Sequence, residues 1–128
     1  NAENIVWEGH TLQFGGCANL LAYIGHDGLM DFDVNLDYDE NPVGMRDVMI
    51  LACYSKSYFS PHIQAVGANP VLWTTHLMAP EAYTLKSAID GWILNEKGDG
   101  IAERAAQTYN QYQKCGIKGA RNLFTYGF

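Results

Sequence analysis

The sequence predicts an α/β fold in which a sheet of mainly parallel strands is flanked by helices. The first observation is that three apolar runs of four to six residues are each bounded by turn residues, which is typical of strands buried on both faces. The second is that the later runs alternate with segments whose apolar residues recur at helical spacing. The third is a length of 128 residues with 48% hydrophobic content, which is enough for one core. Residues 1–128 are therefore expected to form a single domain.

Strands are predicted to dominate the first part of the chain. Residues 1–18 have no clean apolar period and indicate a short helix or loop. A buried strand follows over about residues 18–25. Residues 31–39 then alternate strictly between apolar and mostly acidic side chains, which predicts a half-buried strand at or near a sheet edge. The apolar face of that strand would comprise Phe32, Val34, Leu36 and Tyr38.

The second part of the chain is predicted to alternate strands and helices. The predicted elements, in chain order, are a turn at residues 41–44, a strand at about 47–53, a helix at about 57–66, a strand at 71–75, and helices at about 80–97 and 101–115. Gly67 is expected to end the first helix, and Pro80 to open the second. The tail over residues 117–128 gives no clear pattern.

Composition and charge argue against several classes of partner. The net charge is −6, and the eight Lys and Arg residues are dispersed, so neither nucleic acid nor an anionic membrane is expected to bind. No apolar run approaches the roughly 18–20 residues of a membrane span. Asn1 opens the sequence without a Met or a signal sequence. We therefore expect the domain to belong to a longer chain and to contact other parts of it.

The cysteine and histidine content predicts neither a disulfide framework nor a metal site. Three cysteines at wide spacings favour a reducing compartment such as the cytoplasm, and they contain no CxxC pair. Asp31, Asp33 and Asn35 match the first ligands of an EF-hand loop, but Leu36 and Pro42 replace the required glycine and glutamate. The four histidines lack the i, i+4 spacing of zinc ligands. No metal and no cofactor is therefore predicted.

His26 and Cys53 are the candidates for chemistry, because each follows directly on a buried strand. Parallel strands bring their carboxyl ends to one sheet edge, so the imidazole and the thiol are expected to lie together. Gly25 and Gly28 bracket the histidine, and small Ala52 leaves the thiol uncrowded. A neighbouring imidazole or a following helix N-terminus favours the nucleophilic thiolate. The alternative for a free cysteine is a buried core residue.

These two motifs carry a resemblance to a known family. An apolar strand ending in His-Asp-Gly, followed by a strand ending in Ala-Cys-Tyr-Ser, resembles the caspase-like cysteine peptidases. That group includes caspases, legumains, gingipains, clostripain, separase and the bacterial CHAT domains. Residues 65–73 and 101–107 are similar to the CHAT order of a Gly-Ala turn, a strand with Trp, and a helix rich in Ala and Gln. The resemblance covers roughly residues 18–115 and implies a caspase-like sheet.

The resemblance also implies a role for each site residue. His26 would be the general base and Cys53 the nucleophile, with the backbone N–H groups of Gly28 and Cys53 forming the oxyanion hole. From the sequence pattern, the end of the third buried strand is expected to line the substrate pocket. Its residues are Trp73, Thr74, Thr75 and His76.

Three functional hypotheses follow from the sequence. The leading one is a cysteine endopeptidase-like domain that hydrolyses peptide bonds of a peptide or protein substrate through Cys53 and His26. The second is a catalytically inactive caspase-like domain that serves as an interaction module within a longer chain. The third is an unrelated α/β domain in which Cys53 is simply buried.

Overall fold

A computed structural model describes residues 2–15, 17–38 and 45–128 and shows a mixed α/β architecture. The strands are β1 (Ala2–Trp7), β2 (His10–Gly15), β3 (Leu20–Ile24), β4 (Asp47–Leu51), β5 (Asn69–Thr74) and β6 (Phe124–Thr125). The helices are α1 (Ser55–Ala65), α2 (Ala82–Ile93), α3 (Gly98–Gln113) and α4 (Ile117–Leu123). The turn predicted at residues 41–44 lies outside the described residues.

The main sheet has the strand order β3-β4-β5-β6 and is mostly parallel. β4 pairs in parallel with both β3 and β5, whereas the short β6 is antiparallel to β5. The predicted parallel pairing of β3, β4 and β5 is confirmed, and β4 and β5 are largely buried. The prediction that β3 is buried is wrong, because β3 is an edge strand and Leu21, Ala22 and Tyr23 are exposed. The register pairs Leu20 with Asp47 and Ile24 with Leu51, so β3 and β4 begin and end level with each other.

The apolar run in β4 is explained by helices on both faces of the sheet. Met49 and Leu51 are buried in a core shared with α2, α3 and α4. Ile50 and Ala52 point the other way, into a smaller core with Trp73 and α1. Because successive strand residues face opposite sides, a strand covered on both sides must be apolar at every position.

The structure corrects the prediction for residues 1–18, because β1 and β2 form an antiparallel hairpin rather than a helix or loop. The two-residue turn at Glu8 and Gly9 has positive φ at both positions, as a tight hairpin of type I′ requires. A glutamate rarely occupies the first of these positions, so the turn was not recognisable from sequence. Every residue from 3 to 15 is exposed, and the hairpin lies outside both cores.

The structure also corrects the strand predicted at residues 31–39. Residues 32–38 have no regular secondary structure and pack beside α1 instead of pairing with β3. Val34 and Tyr38 are half-buried, whereas Phe32 and Leu36 are exposed. The sequence does alternate between apolar and polar side chains. A β-strand, however, also needs a neighbouring strand to hydrogen-bond with its backbone, and this segment lies beside helix α1 instead.

The C-terminal tail, which had no predicted structure, forms α4 and β6. Arg121 of α4 forms a bidentate ion pair with Glu103 of α3, at 2.7 Å for the shortest contact. Leu123 and Phe124 are buried in the larger core, and Thr74 pairs with Phe124 at the sheet edge. None of the helices in the described part of the chain has the length and hydropathy needed to cross a membrane.

Candidate functional site

His26 and Cys53 occupy matching positions just beyond two adjacent parallel strands. The last printed pair of the β3–β4 ladder is Ile24 with Leu51, and each candidate lies two residues further on. The Gly25 N–H donates to the Leu51 carbonyl at 3.2 Å, which carries the pairing one residue past the ladder. Ile24 and Leu51 both pack against the larger core, so the two strand ends are held by the same group of helices.

Cys53 lies in a tight turn between β4 and α1. Tyr54 has a φ of +50°, a left-handed conformation that is sparsely populated for a bulky residue. Helix α1 begins at Ser55, so the thiol lies immediately before the positive end of an eleven-residue helix. This strand–turn–helix junction presents the side chain of Cys53 at the carboxyl edge of the sheet.

Hydrogen bonds to β5 and its extension hold this turn at successive points. Ser55 and Thr74 exchange bonds, from the Ser55 N–H to Thr74 Oγ1 at 3.2 Å and from the Thr74 N–H to Ser55 Oγ at 2.9 Å. The Ser55 hydroxyl also donates to the Ile50 carbonyl at 2.7 Å, and the Thr74 hydroxyl donates to the Ala52 carbonyl. Both side chains are fully buried, so the turn is rigidly fixed.

The next two contacts along the turn involve the segment that follows β5. The Tyr54 N–H donates to the His76 carbonyl at 3.0 Å, and the two rings lie 5.9 Å apart. The sulfur of Cys53 accepts from the Met78 N–H at 3.4 Å, and the thiol donates to the Met78 carbonyl at 3.6 Å. The Cys53 side chain is half-buried.

His26 is held by an acidic residue that the sequence reasoning missed. The Nε2 atom of His26 lies 2.5 Å from Oδ2 of Asp31, and both side chains are largely exposed. The Tyr23 hydroxyl donates to the His26 carbonyl at 2.7 Å and fixes the backbone. The bond to Asp31 leaves Nδ1 as the ring nitrogen available for a substrate or a thiol. Within the described residues, His26 and Cys53 share no hydrogen bond.

Asp27 shapes the loop that contains the predicted oxyanion donor. Its side chain is fully buried, and Oδ1 accepts the Leu29 N–H at 3.0 Å at the start of the 3₁₀ turn Gly28–Met30. Oδ2 has no partner among the described residues. Burial raises the pKa of the Asp27 carboxyl above its ordinary value, against the opposing effect of the Leu29 N–H. Among the described residues, the N–H groups of Gly28 and Cys53 donate to no backbone carbonyl.

Two of the four predicted pocket residues are misplaced. Trp73 and Thr74 are fully buried, because β5 is an inner strand with helices on both faces. Trp73 packs edge-on against Phe128, with ring centroids 5.5 Å apart. Thr74 belongs to the hydrogen bonds with Ser55 described above. Neither is open to a substrate, because α1 and Phe128 cover Trp73 at the end of β5 and the turn at Ser55 covers Thr74.

The other two predicted pocket residues lie nearer the surface. The Thr75 hydroxyl is 2.7 Å from both His76 Nδ1 and the Asn122 carbonyl. His76 is exposed and lines a pocket of about 360 Å³ with Leu77 and residues of α3 and α4. Among the cavities formed by the described residues, His76 therefore lines one and Thr75 lines none.

A second cavity adjoins the residues that directly follow the His26 loop. It has a volume of about 280 Å³ and separates residues 28–36 from α1. Its lining residues are Gly28, Leu29, Phe32, Val34, Leu36, Phe59 and His62. Only the histidine among these carries a polar side chain. No sequence prediction had assigned a role to this surface, because the segment was expected to be a strand.

The described residues contain no cluster of three or more His, Cys, Asp or Glu side chains arranged to hold a metal ion.

Comparison of the chain with protein-family models, curated proteins and solved structures gave no match.

Proposed function

We propose that this domain is a cysteine endopeptidase in which Cys53 is the nucleophile and His26 the general base. The observation that carries the proposal is the matching placement of the two residues beyond the level ends of β3 and β4. Two further features support it. They are the strained turn at Tyr54 and the helix that begins at Ser55.

The chemistry follows from these positions. The thiol proton passes to His26 as the sulfur attacks the peptide carbonyl, and a C–S bond forms while the carbonyl π bond opens to an oxyanion. The N–H groups of Gly28 and Cys53, which donate to no backbone carbonyl among the described residues, would donate to that oxyanion. His26 then gives its proton to the leaving amine, which leaves a thioester. Water activated by His26 hydrolyses the thioester and returns the thiol.

Asp31 would act as a positioning residue in this scheme. By accepting from Nε2 it fixes the tautomer and the ring orientation of His26, so that Nδ1 serves as the base. The carboxylate also stabilises the imidazolium that forms when the thiol is deprotonated. The arrangement is then a Cys-His-Asp triad in which the acid follows the histidine by five residues.

The decisive test uses a thiol-reactive peptide electrophile and peptide-mapping mass spectrometry. Cys115 is exposed, whereas Cys17 and Cys53 are half-buried, so accessibility alone predicts the fastest modification at Cys115. An active site predicts the opposite order, with Cys53 modified first. His26→Ala should slow modification of Cys53 by about 100-fold or more, whereas His10→Ala on the hairpin should not change it.

The same measurement separates the peptidase from an inactive domain of similar architecture. If Cys53 reacts no faster than Cys17, and its rate is indifferent to His26, the peptidase proposal fails. The Cys53 sulfur would then serve only in packing and in its contacts with Met78.

A further inference from the structure

We infer that the apolar groove between residues 28–36 and α1 binds the substrate residue that follows the scissile bond, and that this residue is large and apolar with a basic neighbour. The inference rests on the proposed peptidase function and specifies the class of substrate. It assigns a role to the cavity of about 280 Å³ described above.

The groove is lined mainly by apolar residues. Leu29, Val34 and Phe59 are half-buried along its floor, and Phe32 and Leu36 are exposed at its rim. A Cβ atom on Gly28 would lie 3.2 Å from the Phe32 ring, so the glycine keeps that end open. Contact with a large apolar side chain would remove these exposed surfaces from water, which is favourable.

The position of the groove indicates which side of the scissile bond it serves. Gly28 lines the groove and lies only two residues after His26. The general acid must reach the leaving amine, so the part of the substrate that follows the scissile bond passes on the side of His26. The groove therefore lies where the first residues of the leaving segment would run, between the His26 loop and α1.

The negative charge around the groove indicates which type of residue should follow the apolar residue in the substrate. Residues 28–38 contain Asp31, Asp33 and Asp37 but no Lys or Arg. Asp33 lines a second cavity of about 230 Å³ that shares Leu29, Phe32, Val34 and His62 with the first. Asp31 is engaged by His26, whereas Asp33 is exposed beside the apolar surface. An apolar residue followed by Lys or Arg would match both the groove and its acidic rim.

A hydrogen bond between the Tyr38 hydroxyl and His62 Nδ1 attaches residues 32–38 to α1 beside the groove. His62 itself lines the groove, so this bond connects its two walls.

Peptide binding to the full chain with Cys53→Ala tests the groove without turnover. Three fluorescent peptides would differ only after the scissile bond, with Phe-Lys, Ser-Lys or Phe-Glu at the first two positions. The Phe-Lys peptide should bind on the order of tenfold more tightly than the Ser-Lys peptide, because it buries a large apolar side chain. Phe-Glu should bind more weakly than Phe-Lys, and the difference should shrink as salt is raised.

Matched variants locate the preference. Leu36→Ser at the rim should remove the advantage of Phe over Ser, while Leu94→Ser should preserve it. Leu36 and Leu94 are exposed by 51% and 64%, so neither change should affect folding. Equal binding of all three peptides, or equal effects of the two substitutions, would overturn the inference.

A second measurement distinguishes failure of the groove from failure of the enzyme. Active chain is acylated with an ester substrate, and the thioester is partitioned between water and added Phe-amide or Ser-amide. Preferential transfer to Phe-amide, lost in Leu36→Ser, is the expected result. A thioester that shows no amine preference overturns the groove alone. Absence of any thioester, with the peptide-binding preference intact, overturns the peptidase proposal instead.

Discussion

Ser55 and Thr74 exchange two backbone-to-hydroxyl hydrogen bonds across the junction of α1 and β5, and both side chains are fully buried. The two residues are 19 positions apart, and the turn that contains Cys53 and Tyr54 directly precedes Ser55. This reciprocal pair satisfies the first N–H group of α1 and the Thr74 N–H near the end of β5. It therefore fixes the place where strand, turn and helix meet, independently of any chemistry at the thiol.

Loss of the Ser55 hydroxyl should reduce the stability of the fold. Ser55→Ala leaves the Thr74 N–H and the Ile50 carbonyl without their partner, and we expect a cost of about 1–3 kcal/mol in the free energy of unfolding. Ser57→Ala, an exposed site in the first turn of α1, is the matched control and should be nearly neutral. Urea titration of both variants measures the difference, and equal stabilities would mean that the pair is dispensable.

Removing the charge of Asp31 should slow reaction at Cys53 without changing stability. Asp31→Asn weakens the contact that orients His26, so modification of Cys53 by a peptide electrophile should be slower by at least about tenfold. The Asp31 side chain is 59% exposed, so the melting temperature should stay within a few degrees. Glu3→Gln, which removes a carboxylate from the exposed hairpin, is the control. A rate that falls equally in both variants would point to loss of general negative charge instead of orientation.

Asp27 should make stability fall as the pH rises. Burial raises the pKa of its carboxyl in the folded state above 3.8, so the protonated form is the one that the fold prefers. The stability it contributes is fully present below pH 3.8 and is lost as the pH rises through the folded pKa. Asp27→Asn keeps an oxygen for the Leu29 N–H and removes this titration.

The comparison with Asp27→Asn is made by urea titration at several pH values. The stability of Asp27→Asn relative to the natural chain should increase as the pH rises above 3.8 and then level off. A difference that does not depend on pH would mean that the carboxyl is not perturbed by burial.

The ion pair of Glu103 with Arg121 should make the stability of the fold decrease as the pH falls, the opposite of the dependence expected for Asp27. Hydrogen bonds from Arg121, and then from Gln107, lower the pKa of Glu103 from 4.5 to about 2. The stability from this pair is present above pH 4.5 and is lost as the pH falls through about 2. Glu103→Gln should therefore flatten the acid side of the stability profile, whereas Glu3→Gln on the exposed hairpin should not. Melting temperatures measured between pH 2 and pH 5 provide the test.

Substitution of Leu36 should show whether residues 32–38 form a half-buried strand. The predicted strand implies a loss of several kcal/mol in Leu36→Asp, because a charge would be buried. The observed 51% exposure predicts a change within about 0.5 kcal/mol. Leu51→Asp, at a fully buried site of β4, should prevent folding. A large loss in Leu36→Asp would restore the strand interpretation.

The sequence predicted correctly those strands in which nearly every side chain is buried. β4 and β5 have helices on both faces, so nearly every side chain is buried and the strands are visible as continuous apolar runs. Gly67 follows α1 with a φ of +67°, as expected for a helix end that favours glycine. The placement of His26 and Cys53 at the carboxyl ends of neighbouring strands also follows from these runs.

Elements that depend on distant partners were not recognisable from the sequence. The alternation of residues 32–38 fits a strand, but in the structure this segment packs beside helix α1 and does not pair with another strand. The β1–β2 hairpin depends on a Glu-Gly turn that local preference does not favour. Thr74 and Trp73 were assigned to a pocket because an isolated strand does not reveal which of its end residues are covered by helices.

The sequence by itself determined the α/β class, the parallel strands β3 to β5 and the position of the two candidate reactive residues along the chain. Only the tertiary structure decided that His26 contacts Asp31, that the sulfur of Cys53 meets the backbone of Met78, and that Ser55 and Thr74 hold the turn between them. The physical reason is one of range. The periodic pattern of buried residues can be recognised from consecutive positions in the sequence. A hydrogen bond between distant residues instead depends on atomic positions, which are fixed only when several elements pack together.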